Sequence, residues 1–142
     1  MIPSIGHNHM LTLICGVPNA GKTTYSQRYS NVIHVDDIRS KAKSVTKVVE
    51  DMVSKQDDVC VEWTYLVARQ RKKLLTAYKG DRKVCIWLDT PLDVCIAREN
   101  RGRRDSLHIM CAQAIQAPTL DEGWDEIIVV KPDGSEIRIT DG

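Results

Sequence analysis

The stretch Gly-Val-Pro-Asn-Ala-Gly-Lys-Thr at residues 16–23 decides which fold this sequence can form. It follows an apolar run at residues 10–15 and precedes a segment with helical spacing, so it lies between a strand and a helix. It fits the pattern GxxxxGK[ST], in which glycines let the backbone curl until successive N–H groups point at phosphate oxygens. The helix that follows adds free N–H groups and a partial positive charge. The stretch therefore predicts a cradle for the phosphates of a nucleotide.

Two side chains of this loop have separate predicted roles. Lys22 is expected to reach the β and γ phosphates of ATP, and the Thr23 hydroxyl is expected to bind Mg²⁺. The alternative is a chance glycine turn, which matches the four fixed positions on the order of once in two hundred such chains. The predicted ATP-binding residues are Gly16, Pro18, Asn19, Ala20, Gly21, Lys22, Thr23 and Thr24.

Strand and helix patterns alternate along the rest of the chain. Apolar runs rich in Val, Ile and Cys predict strands buried on both faces, at residues 10–15, 31–35, 58–63 and 83–88. Helical spacing predicts helices at residues 37–55, 67–80, 91–101 and 106–116. Residues 127–130 and 136–140 flank an Asp-Gly turn and suggest a hairpin. We expect a tail at residues 1–9 and one α/β P-loop NTPase domain at 10–142, with a parallel sheet of about four or five strands flanked by helices.

Composition restricts the class of protein. The chain has 142 residues, enough for one domain, and its 42% hydrophobic and 27% charged residues are ordinary for a globular protein. A net charge of +1 gives no overall attraction to nucleic acid, and no apolar run is long enough to cross a membrane. The five cysteines form no CxxC pair, which is typical of a reducing compartment. We therefore expect a cytoplasmic protein.

A second group of candidate residues follows the predicted strand at 31–35. Strand carboxyl ends gather at the ligand-binding edge of a parallel sheet, which places Asp36 near the γ phosphate. A carboxylate there can accept the proton of an attacking hydroxyl or help to hold the metal. Arg39 is one helical turn away and can hold an anionic part of the acceptor. The alternative role for Asp36 or Asp37 is to cap a helix.

Three features together resemble the kinase domain of phage-type 5′-polynucleotide kinases, which are small P-loop kinases. They are the phosphate loop, the Asp-Asp-x-Arg sequence at 36–39 and the Leu-Asp-Thr-Pro sequence at 88–91, and the resemblance covers about residues 10–116. It implies an ATP- and Mg²⁺-dependent kinase whose acceptor is the 5′-hydroxyl of DNA or RNA. It also implies that Asp36 is the general base and that Arg39 holds the acceptor's neighbouring phosphate.

The sequence departs from that family after the third predicted strand. The family carries an Asp-x-Thr-Asn-like sequence there, whereas this chain has Glu62 and Tyr65 in place of the Asp and Asn. Glu62 has two open roles, either a ligand of Mg²⁺ through water or the polar end of a strand. The predicted metal-binding residues are thus Thr23, Asp36 and Glu62.

Four arginines within seven residues suggest a lid at about residues 98–106. In small P-loop kinases such a segment supplies arginine to the phosphoryl group in transit, where charge spreads over the transferring oxygens. The resemblance makes Arg98 the first lid arginine and leaves Arg101 and Arg103 as alternatives for the second. The competing interpretation is a solvated basic helix end.

The function predicted from the sequence is that of a kinase for the 5′-hydroxyl of DNA or RNA, and two alternatives stay open. Besides the polynucleotide kinase, the same parts suit a kinase for a nucleoside, nucleotide or other metabolite, or a non-kinase nucleotide switch. A basic run at residues 69–73 is either a solvated helix face or a landing surface for a phosphate backbone. Trp63 is either a packing residue or a platform for a base. The oligomeric state stays open.

Overall fold

Strands and helices alternate through the residues that the computed structural model describes, which are 9–41 and 43–142. The strands are β1 (Met10–Cys15), β2 (Val32–His34), β3 (Val59–Glu62), β4 (Arg82–Leu88), β5 (Glu126–Val130) and β6 (Glu136–Thr140). The helices are α1 (Lys22–Ser26), α2 (Val45–Val53), α3 (Ala68–Ala77), α4 (Leu92–Ala97) and α5 (Asp105–Ala114). Single 3₁₀ turns form at Val35–Asp37 and Leu120–Glu122. Residues 1–8 of the predicted tail lie outside the described ranges.

All six strands join one sheet in the order β2-β3-β1-β4-β5-β6. The first five are parallel, and β6 returns antiparallel to β5 after a turn in which Gly134 has φ 88°. The predicted α/β fold and its C-terminal hairpin are therefore confirmed. Separate apolar clusters cover the two faces of the sheet, as expected for strands rich in Val, Ile and Cys. All five cysteines are buried with free thiols.

The strand order also decides where a ligand can bind. β1 lies between β3 and β4, so the chain leaves β1 toward one side of the sheet and later returns to the other. Ligands of open α/β sheets bind at the carboxyl ends of strands where this reversal occurs. The loop at residues 16–23 begins at that point.

The predicted helix at 37–55 is wrong over residues 37–44. Residues 35–37 form a 3₁₀ turn, Ile38 is extended with ψ 132°, and α2 begins only at Val45. The Ser44 side chain accepts a hydrogen bond from the Lys47 N–H, which caps the helix there. Ile38 packs against the core from a loop, so its helical spacing to Val45 was coincidental. Ala42, which falls within the predicted helix, lies outside the described residues.

Two other helices end earlier than predicted. α3 stops at Ala77 rather than at Gly80, because Tyr78 is extended, buried, and donates its hydroxyl hydrogen bond to the Asp57 carbonyl. α4 stops at Ala97 rather than at residue 101, and the chain then turns around a carboxylate described below. Within the described ranges, every helix is too short or too polar to cross a bilayer.

The basic run at residues 69–73 is not one exposed face. Arg71 is fully buried and forms a bidentate ion pair with Glu122 at 2.8 Å for both bonds, with further donations to the carbonyls of Tyr65 and Gln116. This pair fastens α3 to the turn Leu120–Glu122. Only Arg69, Lys72 and Lys73 of the run are exposed cations.

Candidate functional site

The loop after β1 has the backbone that a phosphate cradle requires. Gly21 adopts φ 107°, a conformation that side-chain-bearing residues rarely take. A Cβ on Gly16 would lie 3.0 Å from the Leu88 carbonyl oxygen at the end of β4. The first glycine is therefore needed for close approach to β4, and the second for the left-handed turn into α1.

Lys22 is held inside the loop. Its Nζ donates to the carbonyls of Gly16 at 2.9 Å and Val17 at 2.7 Å, and the residue is only 8% exposed. Burial lowers the pKa of Lys22 below its usual value, while the nearby Glu62 and Asp36 carboxylates act in the opposite direction. The ammonium group thus lies against the cradle that is predicted to receive phosphates.

The segment after β4 supports the loop from the other side. The Thr90 hydroxyl donates to the Ala20 carbonyl at 2.9 Å, and Lys131 of the β5–β6 turn binds Asp89 at 2.8 Å. The Leu-Asp-Thr-Pro sequence singled out by the resemblance therefore has a structural use. It joins the phosphate loop, β4 and the C-terminal hairpin.

The two predicted carboxylates lie on neighbouring strand ends. Asp36 is exposed in the 3₁₀ turn after β2, and its Oδ1 accepts a hydrogen bond from Trp63 Nε1 at 2.9 Å. Glu62 ends β3, is 7% exposed, and has Oε1 2.8 Å from His34 Nδ1. A carboxylate can only accept in that contact, so the His34 N–H donates. The sequence identified both acids but neither donor.

Arg39 does not face the loop in this structure. Its Nη1 donates to the Asp36 carbonyl at 2.6 Å and to the Ile38 carbonyl at 3.2 Å, and the side chain is exposed. The guanidinium therefore turns back on its own chain segment. Its predicted role as acceptor clamp remains a prediction.

The arginine-rich segment is organised around Glu99, an acid to which the sequence pattern assigned no role. The Glu99 carboxylate accepts hydrogen bonds from the backbone of Arg101 and Arg103, from Arg103 Nε, from His108 Nε2 and from Asn19 Nδ2. Burial raises the pKa of Glu99, but these hydrogen bonds outweigh it and bring the pKa well below its usual range. The sequence signal that could have identified Glu99 is its position as the one acid among the four arginines of residues 98–104.

Asn19 connects this segment to the phosphate loop. Its backbone is left-handed at φ 67°, its carbonyl accepts from Arg98 Nη1 at 3.1 Å, and its Oδ1 accepts from Arg103 Nη2 at 2.8 Å. Arg103 is therefore shared between Glu99 and Asn19. Among the described residues, the Arg101 side chain has no such partner, which distinguishes the two alternatives for the second lid arginine.

One cavity of about 780 Å³ brings most of the predicted residues together. Its wall includes Lys22, Thr23, Asp36, Glu62, Arg98, Arg101 and Arg103. The backbone-supporting Gly16, the outward-turned Arg39 and Trp63 are not part of the wall.

The oxygen donors on this wall suit a hard divalent cation. The Thr23 hydroxyl and the Asp36 and Glu62 carboxylates are the ligand types that Mg²⁺ prefers. Within residues 9–41 and 43–142, no group of three or more His, Cys, Asp or Glu side chains forms a metal cage. The two carboxylates beside the loop fit Mg²⁺, since that ion is usually held by one or two carboxylates together with substrate phosphates.

Solved structures share this fold. No family model matches the sequence, and no curated protein matches it. A gluconokinase from Sinorhizobium meliloti is similar with a TM-score of 0.63 and 15% identity, over 88% of this chain and 83% of that one. A sugar kinase from a Janibacter species gives a TM-score of 0.66 and 16% identity, over 87% and 85% of the two chains.

A more distant similarity is to a protein of the PezAT chromosomal toxin–antitoxin system of Streptococcus pneumoniae. Its TM-score is 0.53 at 14% identity, over 92% of this chain and 70% of that one. Identities this low establish a shared fold and leave the reaction to be argued from the site. The fold of this chain is that of the P-loop kinases.

Proposed function

We propose that the chain is an ATP- and Mg²⁺-dependent kinase that transfers the γ-phosphoryl group to a hydroxyl of a small-molecule acceptor. The observation that carries this proposal is the single cavity of about 780 Å³ that joins the phosphate loop, Asp36 and the lid arginines. A nucleotide switch needs the phosphate loop but has no need of an acceptor-side carboxylate opposite a set of arginines.

Each residue has a distinct part in the proposed reaction. Lys22 and the loop N–H groups bind the β and γ phosphates, and Thr23 and Glu62 hold Mg²⁺, directly or through water. When bound, Mg²⁺ would neutralise charge on the phosphate oxygens. The oxygen of the acceptor hydroxyl bonds to the γ phosphorus while the bond between that phosphorus and the β-phosphate oxygen breaks. Asp36 accepts the proton that the hydroxyl loses. Arg98 and Arg101 stabilise the charge on the oxygens in transit.

Two observations favour a small acceptor over a polynucleotide. Arg39, the residue expected to hold the phosphate next to a 5′-hydroxyl, is engaged with carbonyls of its own turn. The gluconokinase and the sugar kinase share the fold over most of their length, and both names describe small-molecule substrates. We therefore place small polyhydroxylated compounds first among the candidate acceptors.

A polynucleotide 5′-hydroxyl is the second candidate acceptor. Arg39 is exposed and donates to the Asp36 carbonyl, so its guanidinium lies next to the proposed base and is accessible to an anionic group. The exposed face of α3 places Arg69, Lys72, Lys73 and Thr76 around a depression of about 390 Å³. Unpaired cations of this kind attract a phosphate backbone.

A transfer assay with ATP labelled at the γ phosphate tests the proposal and its rival. The acceptors are sugars and sugar acids, nucleosides, a 5′-hydroxyl oligonucleotide, and none. We expect labelled product with a small polyol and little release of phosphate without an acceptor. A labelled oligonucleotide, at a rate that falls as salt rises, would select the second candidate. Slow ATP hydrolysis at a rate that no acceptor changes would contradict both candidate functions.

A further inference from the structure

Two aromatic N–H groups hold the two carboxylates of the site from outside the cavity. Trp63 Nε1 donates to Asp36 Oδ1 at 2.9 Å, and His34 Nδ1 donates to Glu62 Oε1 at 2.8 Å. The contacts are crossed between neighbouring strands, because β2 carries His34 and leads to Asp36, whereas β3 carries Glu62 and leads to Trp63. A residue at the end of β3 thus restrains Asp36, and a residue at the end of β2 restrains Glu62.

The Trp63 contact has the greater consequence because its acceptor is exposed. Asp36 stands in a single 3₁₀ turn at the surface, where several side-chain rotamers are open to an aspartate. Trp63 is half-buried, packs against the core, and meets the Tyr65 ring edge-on with centroids 5.6 Å apart. A hydrogen bond from a packed indole to an exposed carboxylate selects one rotamer of that carboxylate.

We propose that Trp63 is a positioning residue for Asp36. Its N–H holds Oδ1, so that Oδ2 is the oxygen presented to the acceptor hydroxyl. This inference rests on the proposed function, in which Asp36 receives the hydroxyl proton. A catalytic group must be held within about 0.5 Å of its productive position, and residues behind it supply that precision. Trp63 itself is absent from the cavity wall, so it acts through Asp36 rather than on the substrate.

Kinetics of Trp63→Phe test the proposal, since this change keeps an aromatic ring and removes the donor. We expect kcat to fall about 10-fold, the lower end for a hydrogen bond to a charged group, with KM for ATP nearly unchanged. Trp87→Phe is the matched control, because Trp87 is also half-buried against the same core cluster and lies off the cavity wall. It should leave kcat within about twofold, because the hydrogen bond to Asp36 comes from Trp63 and is kept in this variant.

Coupling to Asp36 separates positioning from a structural effect. In an Asp36→Ala background, Trp63→Phe should cause no further loss of kcat, because the contact is already gone. The proposal is overturned if Trp63→Phe lowers kcat by the same factor in both backgrounds, or no more than Trp87→Phe does.

A measurement that needs no turnover follows the indole N–H groups by NMR in ¹⁵N-labelled protein. The chain has three tryptophans, and Trp124 donates to Glu122 rather than to the site. Asp36→Ala should move the Trp63 signal and leave those of Trp87 and Trp124 in place. An unmoved Trp63 signal would overturn the proposal even in an active enzyme. If the wild type transfers no phosphoryl group at all, the proposed function fails, while this signal still decides whether the contact exists.

Discussion

The proposed function assigns one end of the cavity to the phosphates and the other to the acceptor, and these two ends are built in different ways. At the phosphate end, Lys22 is buried and its ammonium is fixed by two carbonyls of its own loop. At the acceptor end, Asp36 is exposed and is restrained by Trp63, which comes from another strand end. The first is a rigid cradle made by one short segment. The second is an assembly of separate segments whose geometry depends on contacts between them.

This difference has a consequence for substrate recognition. A contiguous loop with a fixed backbone suits a ligand that does not vary, such as a triphosphate. Exposed side chains held by a few hydrogen bonds adapt more readily to a different acceptor. We expect substitutions at the phosphate end to remove activity for every acceptor. At the acceptor end, substitution of Arg39 should change which acceptor is preferred.

The largest expected effect is that of Lys22→Ala. It removes the cation that faces the β and γ oxygens, so transfer should fall by at least about 10³-fold with weaker ATP binding. Lys79→Ala is the control, because Lys79 is an exposed lysine away from the cavity wall. A folded Lys22→Ala protein with normal turnover would refute the assignment of the phosphate end.

Substitutions of Arg101 and Arg103 should lower kcat to different extents, because the two side chains have different partners. Arg101→Ala should lower kcat by about 10²-fold, since it removes a charge available to the phosphoryl group in transit. Arg103→Ala should have a smaller effect, because Arg103 is bound by Glu99 and Asn19 and serves to dock the lid. Arg104→Ala, an exposed arginine off the cavity wall, is the control. The assignment is reversed if Arg103→Ala is the more severe of the pair in single-turnover assays.

The buried ion pair behind the site should govern stability rather than turnover. Glu122→Gln leaves the Arg71 charge without its partner, which should cost about 3 kcal/mol in the free energy of unfolding at neutral pH. Asp51→Asn breaks the exposed pair with Lys43 and should leave the urea midpoint unchanged.

The pH dependence of that stability difference follows from the Glu122 pKa. Burial raises this pKa, but hydrogen bonds from Arg71 and Trp124 lower it below its usual value. A depressed folded-state pKa gives stability that is complete above the unfolded-state pKa of about 4.3 and is lost as pH falls below it. Urea unfolding curves of wild type and Glu122→Gln should therefore converge in acid. A constant difference down to about pH 2 would contradict this account.

The smallest expected effect is that of Arg39→Ala on a small acceptor. Because the guanidinium faces its own turn, kcat/KM should change by less than about twofold, in line with a surface substitution. With a 5′-hydroxyl oligonucleotide, a charge-assisted contact to phosphate would raise the loss to about 10- to 150-fold. The ratio of the two losses thus measures which acceptor the site prefers.

The phosphate end could be predicted from the sequence because its residues are contiguous. The glycines and the lysine that a phosphate-binding backbone requires all lie within residues 16–23. The apolar runs around the loop have the pattern of buried strands. Strand bounds accordingly agree with the structure to within about a residue, which is the usual uncertainty of element ends.

The acceptor end could be predicted only as a set of acids and arginines. The hydrogen bond that organises it joins Asp36 to Trp63 across 27 residues of chain, and the one that holds the arginine-rich segment joins Glu99 to Asn19 across 80. Such contacts follow from strand order and leave no local pattern. The helix predicted at 37–55 was wrong for the same reason, since a loop residue, Ile38, packs on the core at helical spacing.

The most direct test of the whole account is to compare ATP binding with phosphoryl transfer in Asp36→Asn. This variant keeps the size of the side chain and removes the proton acceptor. We predict that calorimetry with MgATP gives nearly the wild-type Kd, because the phosphate end is intact. Single-turnover transfer to the best acceptor should fall by about 10² to 10⁴. Transfer at the wild-type rate, or a loss of ATP binding that parallels the loss of transfer, would contradict the division of the cavity into two ends.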